Sequence, residues 1–151
     1  MKLEGSVSLP APSDKLWDML QDPEFLKEVM PGCKELKRTG EDQFEGVVGA
    51  KVGSIFSQYT TKFTLYDKNP PDSYRLKIEG SGKGGFVQAD MKVSLESQDS
   101  NETELTYSGE ASIGGTIARV GQRLLDAATK MLINKGFKTL KKKVELSLGN
   151  K

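Results

Sequence analysis

The chain is 151 residues long, carries 22 Lys and Arg against 21 Asp and Glu, and has one cysteine and no histidine. That length suits a single domain over residues 1–151 with a core large enough to enclose a cavity, and the near balance of charge supplies no general field for holding nucleic acid or a strongly anionic substrate. Histidine-dependent triads and metal clusters, intrachain disulfides and multi-cysteine metal sites are excluded; no metal and no cofactor is expected, and any catalysis would fall to carboxylates, lysine, tyrosine or the lone thiol.

Taken in chain order, the start MKLEGSVSLP lacks the basic segment and apolar core of a secretory signal, and no apolar run approaches the roughly 18 to 20 residues that cross a bilayer. The sequence therefore predicts a cytoplasmic protein. Leu3, Gly5, Val7 and Leu9 alternate with Lys2, Glu4, Ser6 and Ser8, which predicts a strand ending at Pro10. Pro12 suits a first helical position, and Leu16, Trp17, Met19 and Leu20 supply one apolar side of a short helix. A second short helix begins at Asp22-Pro23, carries Phe25, Leu26, Val29 and Met30, and has to stop at Pro31-Gly32. From there the period is two. Strands are predicted at about 34–39, 44–52, 54–67, 73–82, 86–97 and 103–113, separated by TGED, Gly53, KNPPD, a glycine-rich run and QDSNE, turns short enough to make neighbours antiparallel. A long helix over about 117–146, capped by Thr116, closes the chain. Its apolar stripes are Ile117, Val120, Leu124, Ala128, Met131 and then Ile133, Phe137, Leu140, Val144.

The glycine-rich run GSGKGG, from Gly80 to Gly85, has the letters of a dinucleotide-binding loop. Such a loop needs a helix after it so that backbone amides receive a pyrophosphate. Here the following residues alternate as a strand, with Val87, Ala89, Met91, Val93 and Leu95 on one parity. The glycines are therefore read as a turn or bulge between two strands.

One strand, two short helices, six more antiparallel strands and a long terminal helix is the order of an α+β helix-grip fold, in which a curved seven-stranded sheet wraps the last helix. Parity then says what faces that helix. Every inward position is uncharged, whereas Glu45, Lys51, Lys62, Arg75, Lys77, Glu79, Asp90, Lys92, Glu104 and Glu110 share the outward parity. An interior without charged side chains argues against acid-base or hydrolytic catalysis, so no catalytic residue is assigned. It leaves an apolar lining with hydroxyls, the usual composition of a small-molecule site. The candidate lining is Val48, Ala50, Tyr59, Phe63, Tyr74, Leu76, Ala89, Met91 and Tyr107 from the strands and Leu124, Ala128 and Met131 from the last helix, with Phe25, Leu26 and Met30 at the entrance. The tyrosines read equally as core residues whose hydroxyls reach the rim, and the small inward residues as room for a ligand or as clearance for Phe44, Phe63 and Met91.

Three further features have two readings each. Cys33 is a buried structural thiol or a reactive one, the first favoured because Lys34 alone stands beside it in sequence. Arg119 and Arg123 form a solvated helix face or receive a carboxylate or phosphate. The run of Lys135, Lys138, Lys141, Lys142 and Lys143, interleaved with Phe137, Leu140 and Val144, is a helix terminus favourable to its dipole or a peripheral contact with an anionic membrane.

The stretches MPGC (Met30 to Cys33), GKGGFVQADMKVSL (Gly82 to Leu95) and GGTIARVGQRLLD (Gly114 to Asp126) together resemble the CoxG family of carbon monoxide dehydrogenase proteins. The resemblance spans nearly the whole chain. It implies a START-like, polyketide-cyclase-related helix-grip fold. It also implies an accessory role toward a molybdenum hydroxylase of the carbon monoxide dehydrogenase type, in assembly or membrane attachment, with a lipid or quinone carried in the grip. The family supplies no catalytic residues to transfer. A docking protein whose interior is merely core, and a cyclase- or hydrolase-type enzyme, are the alternatives.

Overall fold

The computed structural model describes residues 1–149. Strand β1 (Lys2–Leu9) leads into helices α1 (Ser13–Leu20) and α2 (Pro23–Val29). Six strands follow: β2 (Cys33–Gly40), β3 (Gln43–Val52), β4 (Ile55–Asn69), β5 (Ser73–Gly82), β6 (Gly85–Asp99) and β7 (Glu102–Gly114). A 3₁₀ turn (Thr116–Val120) and helix α3 (Gln122–Gly149) end the described chain. The strands form one antiparallel sheet in the order β1-β7-β6-β5-β4-β3-β2. The predicted architecture and the order of its elements are those observed, with strand ends moved by one or two residues.

Local chemistry accounts for the elbow. The Asp22 carboxylate caps α2 by accepting from the Glu24 amide at 3.0 Å, and Pro23 occupies the first turn, where no amide partner is needed. After Pro31, Gly32 takes φ +75°, and its carbonyl accepts from the Gly49 amide at 2.8 Å, seating the start of β2 on β3. Ladder irregularities between Cys33 and Glu35, Arg38 and Gly40, Tyr66 and Asn69, and Ser97 and Asp99 add the twist that bends the sheet.

The larger core cluster lies where α1, α2 and the second half of α3 meet the sheet. It includes Leu9, Leu16, Trp17, Phe44, Leu65, Tyr74, Leu105, Leu140 and Val144. Trp17 meets Tyr74 edge to face at 5.4 Å, and buried Thr103 donates to the Ala11 carbonyl at 2.7 Å, tying the β1–α1 connection to β7. A second cluster, Val52, Tyr59, Ile117 and Leu125, closes the opposite end. The backbone of α3 comes near β1 and β3, on opposite flanks of the sheet. The sheet thus curls around the helix and stands off at its middle.

Two expectations at the terminal helix are corrected. The helix does not run unbroken from Ile117: Gly121 sits at φ +100°, a conformation an L side chain resists, so a 3₁₀ turn precedes it and α3 begins at Gln122. Nor does Thr116 cap it, since the 3₁₀ turn is preceded by Gly115 and has no side-chain cap. The break changes which of two adjacent apolar residues turns inward. Leu125 is buried, whereas Leu124 is 39% and Met131 70% exposed.

Candidate functional site

Between the two core clusters lies a cavity of about 300 Å³. Its wall is assembled from every strand except β2: Leu3 of β1; Val48, Ala50 and Val52 of β3; Tyr59, Thr61 and Phe63 of β4; Ile78 and Gly80 of β5; Val87 and Ala89 of β6; Ala111 and Ile113 of β7. Met1 and Met30 join them, and Ile117, Leu125, Ala128, Thr129, Leu132 and Ile133 complete it from the 3₁₀ turn and α3. The register explains the space. Ala89 pairs with both Ala111 and Ile78, and Gly80 pairs with Val87 and Thr61, so small residues sit side by side on β5, β6 and β7. Ala128 is the small residue on the helical side. Where the sheet stands off, nothing large reaches across.

No wall residue carries a charged side chain. Of the hydroxyls, Thr61 donates to the Tyr59 carbonyl at 3.1 Å and is satisfied. The Tyr59 side chain, 5% exposed, has a buried hydroxyl with no hydrogen-bond partner. Leaving such a group unpaired costs on the order of 1–3 kcal/mol, and among the wall residues it is the one fully buried hydroxyl without a partner, lying beside Gly84 of the β5–β6 hairpin.

A second, adjoining chamber of about 370 Å³ opens under the elbow. It is lined by Leu26, Val29, Met30 and Pro31, by Val48, Gly49 and Ala50, and by Leu132, Ile133, Gly136, Phe137 and Leu140 of α3. Met30, Val48, Ala50, Leu132 and Ile133 belong to both chambers. A dip of about 320 Å³ on the outer face of the sheet, by contrast, is edged by Lys77, Glu79, Asp90 and Glu110 and is an ordinary solvated surface of both signs.

Of the residues singled out in the sequence, Val48, Ala50, Tyr59, Phe63, Ala89 and Ala128 stand on the wall of the cavity. All three residues proposed for the entrance, Phe25, Leu26 and Met30, pack on the larger core cluster, and Leu26 and Met30 also line the second chamber. Tyr74, Leu76, Met91 and Tyr107 face inward yet lie off the wall. Tyr74 belongs to Trp17, and Leu76 packs on the same cluster. Met91 is buried against Gly109, and the Tyr107 ring stacks on Phe137 at 5.0 Å. Leu124 and Met131 face solvent because α3 starts later than predicted. Val52, Thr61, Ile78, Val87, Ala111 and Ile113 share the inward strand parity, but parity does not encode the depth at which the sheet stands off. Leu125 and Leu132 escape the predicted helix phase, and Ile133, although on the predicted apolar stripe, is not among the candidate lining.

The titratable groups elsewhere form no reactive constellation. Burial pushes the Cys33 thiol up, against the nearby Lys27 charge, and the thiol donates to the Glu35 carbonyl at 3.4 Å, so its nucleophilic form is disfavoured. Burial likewise raises the phenols of Tyr74 and Tyr107. On the outer face, Tyr66 donates to Asp90 at 2.6 Å while Arg75 donates to the Tyr66 oxygen at 3.1 Å; these contacts raise the Arg75 guanidinium. Among the described residues no cluster of His, Cys, Asp and Glu would hold a metal ion.

The GSGKGG run is a hairpin whose two turn residues are Lys83 and Gly84. The Gly84 carbonyl accepts from the Ile117 amide at 2.8 Å, Gly85 takes φ +129°, and a Cβ on Gly115 would strike the Gly85 backbone. The glycines let two backbone segments touch beside the Val52, Tyr59, Ile117 and Leu125 cluster, and a strand rather than a helix follows them.

The family model for the G subunit of carbon monoxide dehydrogenase (CoxG) matches residues 5–145. Among solved structures, a conserved protein from Geobacillus kaustophilus is 32% identical, with TM-score 0.91 and 97% of each chain covered. The Zhui aromatase/cyclase from a Streptomyces species is 14% identical at TM-score 0.70, covering 96% of this chain and 93% of its own. A START superfamily protein from Mycobacterium smegmatis is 12% identical at TM-score 0.73, covering 96% and 97%. The last two likenesses show a START-like fold. No curated protein matched the sequence significantly.

Proposed function

The chain belongs to the CoxG family of carbon monoxide dehydrogenase proteins, and we propose that it is a carrier, holding a lipid- or quinone-like molecule between sheet and helix without transforming it. The observation that carries this reading is the cavity of about 300 Å³ whose wall residues have no charged side chain and one fully buried hydroxyl without a partner. Apolar burial at roughly 25 cal/mol per Å² supplies the affinity. The Tyr59 hydroxyl orients a carbonyl or hydroxyl on the ligand, and Val48, Ala50, Phe63, Ala89 and Ala128 contact its apolar body. The adjoining chamber under Leu26 and Met30 takes a tail or serves as the way in. The wall carries no carboxylate, lysine or thiol for general acid-base catalysis and leaves the Tyr59 phenol as its one titratable side chain, which favours carriage over a cyclase-like reaction. The family's name motivates the further proposal that the carrier serves a molybdenum hydroxylase of the carbon monoxide dehydrogenase type. No described helix is long and apolar enough to cross a membrane.

Native mass spectrometry of detergent-free protein, followed by organic extraction, tests the carrier reading. A stoichiometric adduct extracting as a lipid or isoprenoid quinone is the expected result. A bare mass that stays bare after incubation with membrane extract would overturn it. Ala89→Trp, which places an indole in the cavity, should abolish the adduct in a protein whose circular dichroism is unchanged; undiminished uptake by that variant would remove this cavity from the mechanism.

A further inference from the structure

The turns at the two ends of the sheet differ in charge. At one end, the β2–β3 turn holds Glu41 and Asp42, the β4–β5 turn Asp72, and the β6–β7 connection Asp99 and Glu102. At the other lie the β3–β4 turn, the β5–β6 turn, the 3₁₀ turn and the start of α3. The segments 51–58, 81–88 and 114–124 that build this end contain Lys51, Lys83, Arg119 and Arg123 and no acidic residue. All four cations are exposed, and none takes part in the ion pairs of the described residues. A net charge of +1 therefore conceals a molecule with a basic end and acidic turns opposite.

That basic end also exposes large apolar side chains. Phe56 is 58% and Phe86 44% exposed, and Leu124 projects beside Gly53 at the β3–β4 turn. The second core cluster, with Ile117 and Leu125 on the cavity wall, lies directly beneath. At the lysine-rich end of α3 the described residues expose one large apolar side chain, Leu146. Leu140 and Val144 are spent in the core, Phe137 is stacked on Tyr107, and Lys143 lies 3.7 Å from Glu28, so the apolar side an interfacial helix needs is already occupied.

We propose that the basic, aromatic end of the sheet docks on an anionic lipid surface, with Lys51, Lys83, Arg119 and Arg123 at the headgroups and Phe56, Phe86 and Leu124 entering the interface. The acidic turns at the far end orient the molecule cavity-end down. The docking deepens the carrier reading, on which its purpose rests, because it holds the cavity, walled at this end by Ile117 and Leu125, close to the source of an apolar ligand.

Flotation with phosphatidylcholine vesicles, with and without phosphatidylglycerol, tests it. Binding is expected only with phosphatidylglycerol and should weaken steeply with salt. Lys83→Glu with Arg119→Glu, and separately Phe56→Ser with Phe86→Ser, should each lower vesicle affinity about tenfold or more, while Lys138→Glu with Lys142→Glu should not. Nile red fluorescence in vesicle-free solution reads the cavity independently. Variants that keep the dye but lose the vesicles support the docking surface, and a wild-type protein that binds vesicles but no dye retains the surface while refuting the carrier. Equal binding to neutral vesicles, undiminished binding by both end variants, or no binding at low salt would overturn the proposal. In the last case, an acidic protein held by the same four cations would reassign the surface.

Discussion

The Tyr59 hydroxyl is the most informative atom among the wall residues, because burial without a hydrogen-bond partner is a cost the fold bears. Tyr59→Phe is expected to leave unliganded stability unchanged or raise it by about 1 kcal/mol in urea titration. In the same variant, affinity for a carbonyl-bearing ligand should drop about tenfold; a loss of stability with no loss of affinity would make the residue structural. Tyr74 gives a prediction of opposite origin. Burial favours its neutral phenol, so its folded pKa lies above the unfolded value of about 10. Its contribution is complete below about pH 10, and as pH rises past that point the unfolded chain ionises first and stability falls. Urea midpoints should therefore decline above about pH 10, and less so in Tyr74→Phe. Equal slopes would show that the phenol ionises freely in the folded protein.

Among the elements, the hairpin Gly82–Gly85 and the turn after β7 behave as one unit joined backbone to backbone. Gly115 and Gly121 separate two reasons for glycine. At Gly121, φ is +100° and nothing lies within 4 Å of an added Cβ, so Gly121→Ala should cost only conformational strain, about 1–3 kcal/mol. At Gly115, φ +85° is combined with a collision against Gly85, so Gly115→Ala should lower stability more, read from urea unfolding of the two variants side by side. A dinucleotide loop has the same letters as GSGKGG, and period-two alternation after Gly85 was enough to separate them. Helix α3 was harder. Leu124-Leu125 and Met131-Leu132 are adjacent apolar pairs, and a 100° step between neighbours decides which faces the sheet. With the start of the helix placed at Ile117, the wrong member of each pair was chosen.

For the whole molecule, the cavity follows from a mismatch of curvature: α3 approaches the flanks of the sheet while small residues face the helix across its middle. An occupant that binds only the folded state should stabilise it by about 2.7 kcal/mol at a hundredfold excess over Kd, on the order of 5–10 °C in Tm for a chain of this size. Thermal scans with and without an isoprenoid quinone would register that shift, and Ala89→Trp should suppress it. The charge asymmetry belongs to this scale too, since it exists only once the antiparallel order has sorted the turns into two ends.

Sequence alone determined the strands and their order, the elbow, the uncharged interior and the resemblance to the CoxG proteins, because period-two alternation and turn residues act locally and leave their mark on neighbouring positions. Tertiary structure decided which inward residues border empty space and which fill core: Ala89 and Tyr74 have the same parity, but one lies where the sheet stands off from α3 and the other against Trp17. Curvature, helix phase and the gathering of Lys51, Lys83, Arg119 and Arg123 at one end depend on contacts between residues far apart in the chain, and no local pattern encodes those distances.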